Sequence, residues 1–246
     1  MDTTILEDDY VEYVTSRFNC NVHSIFCGIP ENLKRENPIR NRNNFYPLNE
    51  DCDFDPNWNF KNVLENISIV NGYVIDYVYR YDRWSGEPLL YFRKIDEKPI
   101  ESSDDWAKHK RNENLLDYIV VNGLPESFFE LAIFNRMSKI FYLYMHSNYI
   151  KQEIASTKNR LNQLIEMSSE GKFGRKFPSS MEKFLKSIYP NPIVEINEYH
   201  VFVHYCYFNE WSGFYRVKEC FNIYRPHRMV DTKITHEIKY DNGCII

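Results

Sequence analysis

Aromatic and β-branched residues crowd two strand-like runs, Tyr73 to Tyr81 and Tyr199 to Phe208. Each run ends in the same short pattern, Asp82-Arg83-Trp84-Ser85-Gly86 in the first and Asn209-Glu210-Trp211-Ser212-Gly213 in the second. A further strand-like run follows each turn, Leu89 to Ile95 and Phe214 to Tyr224. The pattern predicts two β-hairpins: Asp or Asn opens a type I turn, and Gly takes the left-handed position that closes it. Lys233 to Tyr240 alternates (Ile234, His236, Ile238, Tyr240) as a half-buried strand does, and Asp241-Asn242-Gly243 ends it.

Between these regions the spacing turns helical. Tyr10, Val11, Val14 and Phe18 predict a short N-terminal helix over residues 8–18. Asn122-Gly123-Leu124-Pro125 is a turn with proline at a helix start. The helix it opens is expected to reach Ser168, apolar nearly all round at first (Phe128, Phe129, Leu131, Phe134). It then narrows to the stripe Ile150, Ile154, Thr157, Leu161 and Leu164. That stripe has the four-and-three spacing of a coiled-coil seam. It packs on a sheet or joins two chains in a homodimer. Ser179 and Glu182 are spaced as a capping box for a short helix ended by Pro190 and Pro192.

These elements predict an α+β fold in a single domain, with a mostly antiparallel sheet built from the two Trp-turn hairpins and packed on a central helical segment. The N-terminal helix and a Pro- and Asn-rich irregular stretch fill 1–65, the first hairpin 66–100, helices 103–190, and the second hairpin with the final strand 192–246.

Composition adds an origin rather than an activity. The chain of 246 residues holds 19 Tyr and 17 Phe but only 8 Gly. Ala107, Ala132 and Ala155 are its only alanines, and Asn is used at about twice the average level. These preferences follow AT-rich codons and suit a phage, a mobile element or an accessory gene. The net charge of -5 argues against general nucleic-acid or membrane-surface binding. Met1-Asp2-Thr3-Thr4 lacks the basic and apolar regions of a signal peptide, and six irregularly spaced cysteines read as free thiols. A cytosolic protein is expected.

Five constellations could carry chemistry. Cys20, His23, Cys27 and Cys52 offer thiolate and imidazole ligands for a structural zinc, although their spacing is loose. Asp51, Asp53 and Asp55 resemble a calcium loop, but Pro56 stands where that loop needs glycine. Lys172, Arg175 and Lys176 precede a helix start, where backbone N–H groups favour phosphate. His200 and His204 share a strand face ~13 Å apart, candidates for acid and base with Arg225, His227 or Arg228 nearby in sequence. Trp84, Trp211, Tyr79 and Tyr207 offer the contact area and polar tips that protein interfaces favour.

No G-x-S-x-G, H-E-x-x-H, Walker A or Rossmann pattern occurs, and no cofactor is implied. The leading expectation is a non-catalytic interaction protein that binds and modulates or inhibits a macromolecular partner, most naturally a protein. The alternative is a small nucleotide- or nucleic-acid-processing enzyme, with His200 and His204 as acid and base and Lys172, Arg175 and Lys176 holding phosphate. A zinc-stabilised structural module is the third.

Overall fold

The computed structural model describes residues 1–27, 45–46, 64–81, 85–100, 103–109, 113–140, 144–145 and 149–243. In chain order the elements are β1 (Asp2–Ile5), α1 (Asp8–Cys27), β2 (Phe45–Tyr46), β3 (Ile67–Ile69), β4 (Tyr73–Tyr81) and β5 (Ser85–Lys94). There follow α2 (Ser103–His109), β6 (Ile119–Val121), α3 (Pro125–Ile140), β7 (Tyr144–Met145), β8 (Glu153–Ile154) and α4 (Lys158–Ser169). The chain closes with α5 (Ser179–Ser187), β9 (Ile193–Ile196), β10 (His200–Asn209), β11 (Gly213–Asn222) and β12 (Met229–Lys239).

The fold is α+β, and every strand pairing is antiparallel. The chain splits into two compact units: residues 1–19, 149–224 and 229–246 make the first, 20–148 and 225–228 the second. The two hairpins belong to different sheets. The first unit holds the order β1-β9-β10-β11-β12 with β8 also on β10; the second holds β2-β4-β5-β7 and the pair β3-β6. In the second unit the Phe92 ring stacks on Tyr118 at 4.8 Å, and the buried Glu130 carboxylate accepts from the Asn66 backbone and side-chain amides at 2.7 and 2.8 Å.

Three local expectations are corrected. The helix opened by Pro125 ends at Ile140, and the stripe from Ile150 to Leu164 is not one helical face. Ile154 pairs with Tyr207 across β8 and β10, and Ala155 N–H donates to the Cys206 carbonyl at 3.0 Å. Thr157 is the N-cap of α4, its hydroxyl accepting from Arg160 N–H at 3.1 Å. β-Branched residues suit that strand, and Thr suits that cap, so the helical spacing there was coincidental. Leu161 and Leu164 are fully buried in a cluster with Phe173, Met181, Leu185, Phe208 and Phe214, which removes the seam as a dimer surface.

The capping box is the third correction. Pro178 is the N-cap of α5, and Ser179 is already helical, with no side-chain cap bond. At the other end of α5 the Lys158 ammonium donates to the carbonyls of Lys186 and Ile188 at 2.6 and 2.8 Å, placing a cation on the negative end of the helix.

The second Trp turn forms as its sequence predicts. Asn209 pairs with Gly213, the Ser212 N–H donates to the Asn209 carbonyl at 3.2 Å, and Gly213 sits at φ 118°. The first hairpin pairs Tyr73–Tyr81 with Gly86–Lys94, and its tip at 82–84 lies outside the described residues. A Cβ on Gly213 would stand 2.2 Å from the Ile238 carbonyl oxygen. Gly213→Ala is therefore expected to lower stability by ~2 kcal/mol or more, because strained backbone and a backbone clash combine. Urea unfolding followed by tyrosine and tryptophan fluorescence measures it.

Candidate functional site

Two features from separate parts of the sequence meet in the first unit. Arg175 and Lys176 of the basic loop, and Trp211 and Ser212 of the turn, line one open cleft of about 590 Å³ with Pro178, His236, Lys239, Tyr240 and Asp241.

The loop is held by the end of the chain. The buried Tyr240 hydroxyl donates to the Phe173 carbonyl at 2.9 Å, and Arg175 N–H donates to the Asn242 carbonyl at 3.1 Å. Gly174, at φ 81°, lets the backbones approach: a Cβ there would lie 2.6 Å from the Asn242 oxygen. Phe173 and Phe177 stack at 5.6 Å and point into the core beside Phe208. Aromatic burial on one side thus leaves the intervening cations on the other.

The turn is held by one amide. Asn209 Oδ1 accepts from the Trp211 and Ser212 N–H groups at 2.9 and 3.0 Å and from the Ser212 hydroxyl at 2.9 Å. Its Nδ2 donates to the carbonyls of Tyr149 and Lys151, both at 2.8 Å. Trp211 is half-buried, and its indole N–H is shielded from water without an acceptor among the described residues. His236 ends a three-ring stack: it lies 4.2 Å from Tyr215, which lies 4.8 Å from Tyr207. Its Nε2 is 2.9 Å from the Ser212 carbonyl oxygen.

The cleft therefore carries three permanent cations, Arg175, Lys176 and Lys239, against one carboxylate, and Asp241 is paired with Arg175 at 3.1 Å. Lys172 points elsewhere and pairs with Glu170 at 2.9 Å.

The remaining sequence candidates fall apart in space or outside the description. Tyr207 is 5% exposed, so its stacked, buried ring is no surface anchor. Trp84 and the Tyr79 side chain lie outside the described residues, as do Cys52 and the Asp51-Asp53-Asp55 run. Cys20, His23 and Cys27 fall on α1, their side chains undescribed. Among the described residues no cluster of His, Cys, Asp or Glu could hold a metal ion.

His200 and His204 do not join the basic loop. His200 pairs with Asn222 and Asn209 with Gly213, at opposite ends of the hairpin, about 30 Å apart along the strand. His204 Nε2 lies 3.2 Å from Glu195 Oε2, near enough for an ion pair but off-line for a hydrogen bond. Glu195 also accepts from Lys218 at 3.2 Å, and that ammonium sits 4.4 Å over the Phe202 ring. His227 and Arg228 belong to the other unit: His227 is buried edge-on to Phe128, and Arg228 makes a two-point bond to Asp117 at 2.8 and 2.6 Å. The buried Cys206 thiol is pushed up to about 12 by desolvation, which removes it as a nucleophile near neutrality.

Sequence reading found Arg175, Lys176 and Trp211 but missed Asn209 as an organiser and Lys239, Tyr240 and Asp241 as lining. Asn209 was marked only as the opener of its turn; the other three had only the strand end at Asp241-Asn242-Gly243, and nothing local says which loop that end meets.

No protein-family model, curated protein or solved structure matches this chain. Among the described residues no helix is long and apolar enough to cross a membrane.

The His204–Glu195 pair gives a pH signature. Burial pushes the His204 imidazole below its ordinary 6.5; the Glu195 carboxylate opposes this, and the nearby Lys218 and Arg216 charges reinforce it. Burial alone would raise Glu195, yet His204 and Lys218 hold it below its ordinary 4.5. Both groups bind protons less readily folded than unfolded. Their stabilisation is present above the unfolded values and is lost as pH falls through the folded ones, His204 first. The urea midpoint is expected to drop as pH falls below the ordinary imidazole value of 6.5, and His204→Gln to flatten that segment.

Proposed function

We propose that the chain is a cytosolic, non-catalytic interaction protein that docks an acidic segment of a protein partner in the cleft at the end of the second hairpin. The observation that carries this reading is the meeting of Arg175, Lys176 and Lys239 with Trp211 in one open cleft. Arg and Trp are the side chains most enriched among residues that dominate protein interfaces. Here both are held by the fold through their backbones, Arg175 by Asn242 and Trp211 by Asn209, so little backbone freedom is lost on binding. A carboxylate entering the cleft meets uncompensated cations, and an apolar neighbour meets the indole face and Pro178. The overall charge of -5 favours a short acidic protein segment over a nucleic-acid backbone, which would be repelled beyond this patch.

The test is selection of random peptides on the purified protein, followed by calorimetric titration of the recovered sequences. Peptides pairing Asp or Glu with an apolar residue are expected. Their affinity should fall about tenfold or more in Lys176→Glu combined with Lys239→Glu, and similarly in Trp211→Ala. Selected peptides without acidic preference, or indifferent to these substitutions, would refute the reading. Oligonucleotide binding lost on the same substitutions would replace it with a nucleic-acid site.

A further inference from the structure

The six-stranded sheet ends in β12. This strand pairs with β11 along one side, and among the described residues no strand pairs with the other. Its register shifts lie near its two ends, and between them Asp231 to His236 run in regular register against Cys220 to Tyr215. Every residue of that stretch is exposed. Its length is that of a typical whole strand, and an edge of this kind presents unpaired N–H and C=O groups to a strand that can match it.

Within the regular stretch the side chains alternate between the two sheet faces. Asp231, Lys233 and Thr235 share one face with Cys220, Lys218 and Arg216, which stand opposite them. Thr232, Ile234 and His236 share the other face with Glu219, Val217 and Tyr215. The strand runs into the cleft, because His236 and, beyond the second shift, Lys239 line it. Each face asks for a different chemistry. Lys233 stands opposite Lys218, whose ammonium is engaged by Glu195 at 3.2 Å, and Lys233 itself has no side-chain partner among the described residues. Ile234 is 48% exposed beside the fully buried Val217.

A lysine on an edge blocks indiscriminate pairing, but it favours a strand that brings a carboxylate opposite it. The edge at the other end of the sheet, β1, is shorter and carries Asp2 with no lysine, so it disfavours such a strand. An extended acidic segment running from the cleft along β12 sets a carboxylate at Lys233 and, at the adjacent residue, an apolar side chain at Ile234. The same pairing of acidic and apolar groups suits Arg175, Lys176, Lys239 and Trp211 in the cleft itself. Edge and cleft thus form one continuous surface with one preference.

We propose that the acidic partner segment leaves the cleft as an added antiparallel strand on the free edge of β12, with a carboxylate opposite Lys233 and an apolar side chain opposite Ile234. Main-chain hydrogen bonds to the edge supply affinity, and the alternating side chains supply specificity. Antiparallel pairing matches every strand pair among the described residues and is the more stable arrangement per residue. The proposal rests on the acidic-segment reading and adds to it the conformation and register of the segment. Lys233 and Ile234 do not line the cleft, so they separate the two.

Calorimetric titration of the synthetic peptide Asp-Asp-Val-Thr-Val-Glu-Val-Thr tests it. Laid antiparallel, this peptide sets its Glu opposite Lys233 and the preceding Val opposite Ile234, with the leading Asp pair at the cleft. Versions carrying a single backbone N-methyl group are expected to lose affinity about tenfold at every second position and little between, because only alternate amides of an added strand bond the edge. Lys233→Glu should weaken binding about fivefold, and a peptide with Lys in place of Glu should restore it. That variant sets a carboxylate opposite Lys218, so it is expected to fold, as circular dichroism checks. N-methyl losses without alternation overturn the added strand, and so does a folded Lys233→Glu that binds like the wild type. If Lys176→Glu combined with Lys239→Glu still weakens binding in those cases, the cleft reading stands without the strand. A peptide that fails to bind while selected acidic peptides do bind also overturns the stated register. Random peptides selected without acidic preference would remove the cleft reading and the added strand together.

Discussion

The carboxamide of Asn209 is the interaction on which the first unit turns. One oxygen gathers the Trp211 and Ser212 amides and the Ser212 hydroxyl, and one nitrogen reaches the carbonyls of Tyr149 and Lys151. It closes the hairpin, aims the tryptophan and ties the incoming segment to the sheet. That segment then continues as β8 and the Thr157 cap, which starts α4 over the same sheet face. An acidic or aliphatic residue in its place could not both accept and donate, so the amide type itself is required. The unit's strand register, its helix start and its candidate cleft share this one side chain.

A second constraint works at the far side of the cleft. Tyr240 is buried with its ring edge-on to Phe177 at 5.0 Å, and its hydroxyl has to find a partner. It finds the backbone of the basic loop, which is thereby drawn against the end of the chain. A loop that reads as a solvated connector becomes a fixed wall, its phenylalanines inward and its cations outward. The positive rim is thus a by-product of satisfying a buried phenol. β10 meets a different local problem, the charge of Glu195 on the half-open sheet face, which Lys218 neutralises with His204 packed beside it.

Much of the architecture was legible along the chain. The hairpins, the Asn-x-Trp-Ser-Gly turn at 209–213, the helix opened by Pro125 and the final strand all follow from local alternation and turn chemistry. The stripe from Ile150 to Leu164 misled because apolar residues three and four apart also arise where a short strand adjoins a helix. Ser179 misled because Pro178 offers the same extended backbone before the first turn and takes the cap position. Of the candidate site, Arg175, Lys176 and Trp211 could be named from residue type, but nothing in their spacing joined them.

The amino-acid sequence by itself determined the strand and helix propensities, the turn that must contain Gly213, the acidic overall balance and the residue types able to bind. The tertiary structure alone decided that the two hairpins enter different sheets, that Tyr207 is buried, and that the basic loop faces Trp211 while His200 and His204 stand apart. The physical reason is range. Turn and helix preferences are settled between neighbours within a few residues, whereas a cleft is assembled by burial and hydrogen-bond satisfaction among segments up to 67 residues apart, as between Tyr240 and Phe173. No local pattern encodes that meeting.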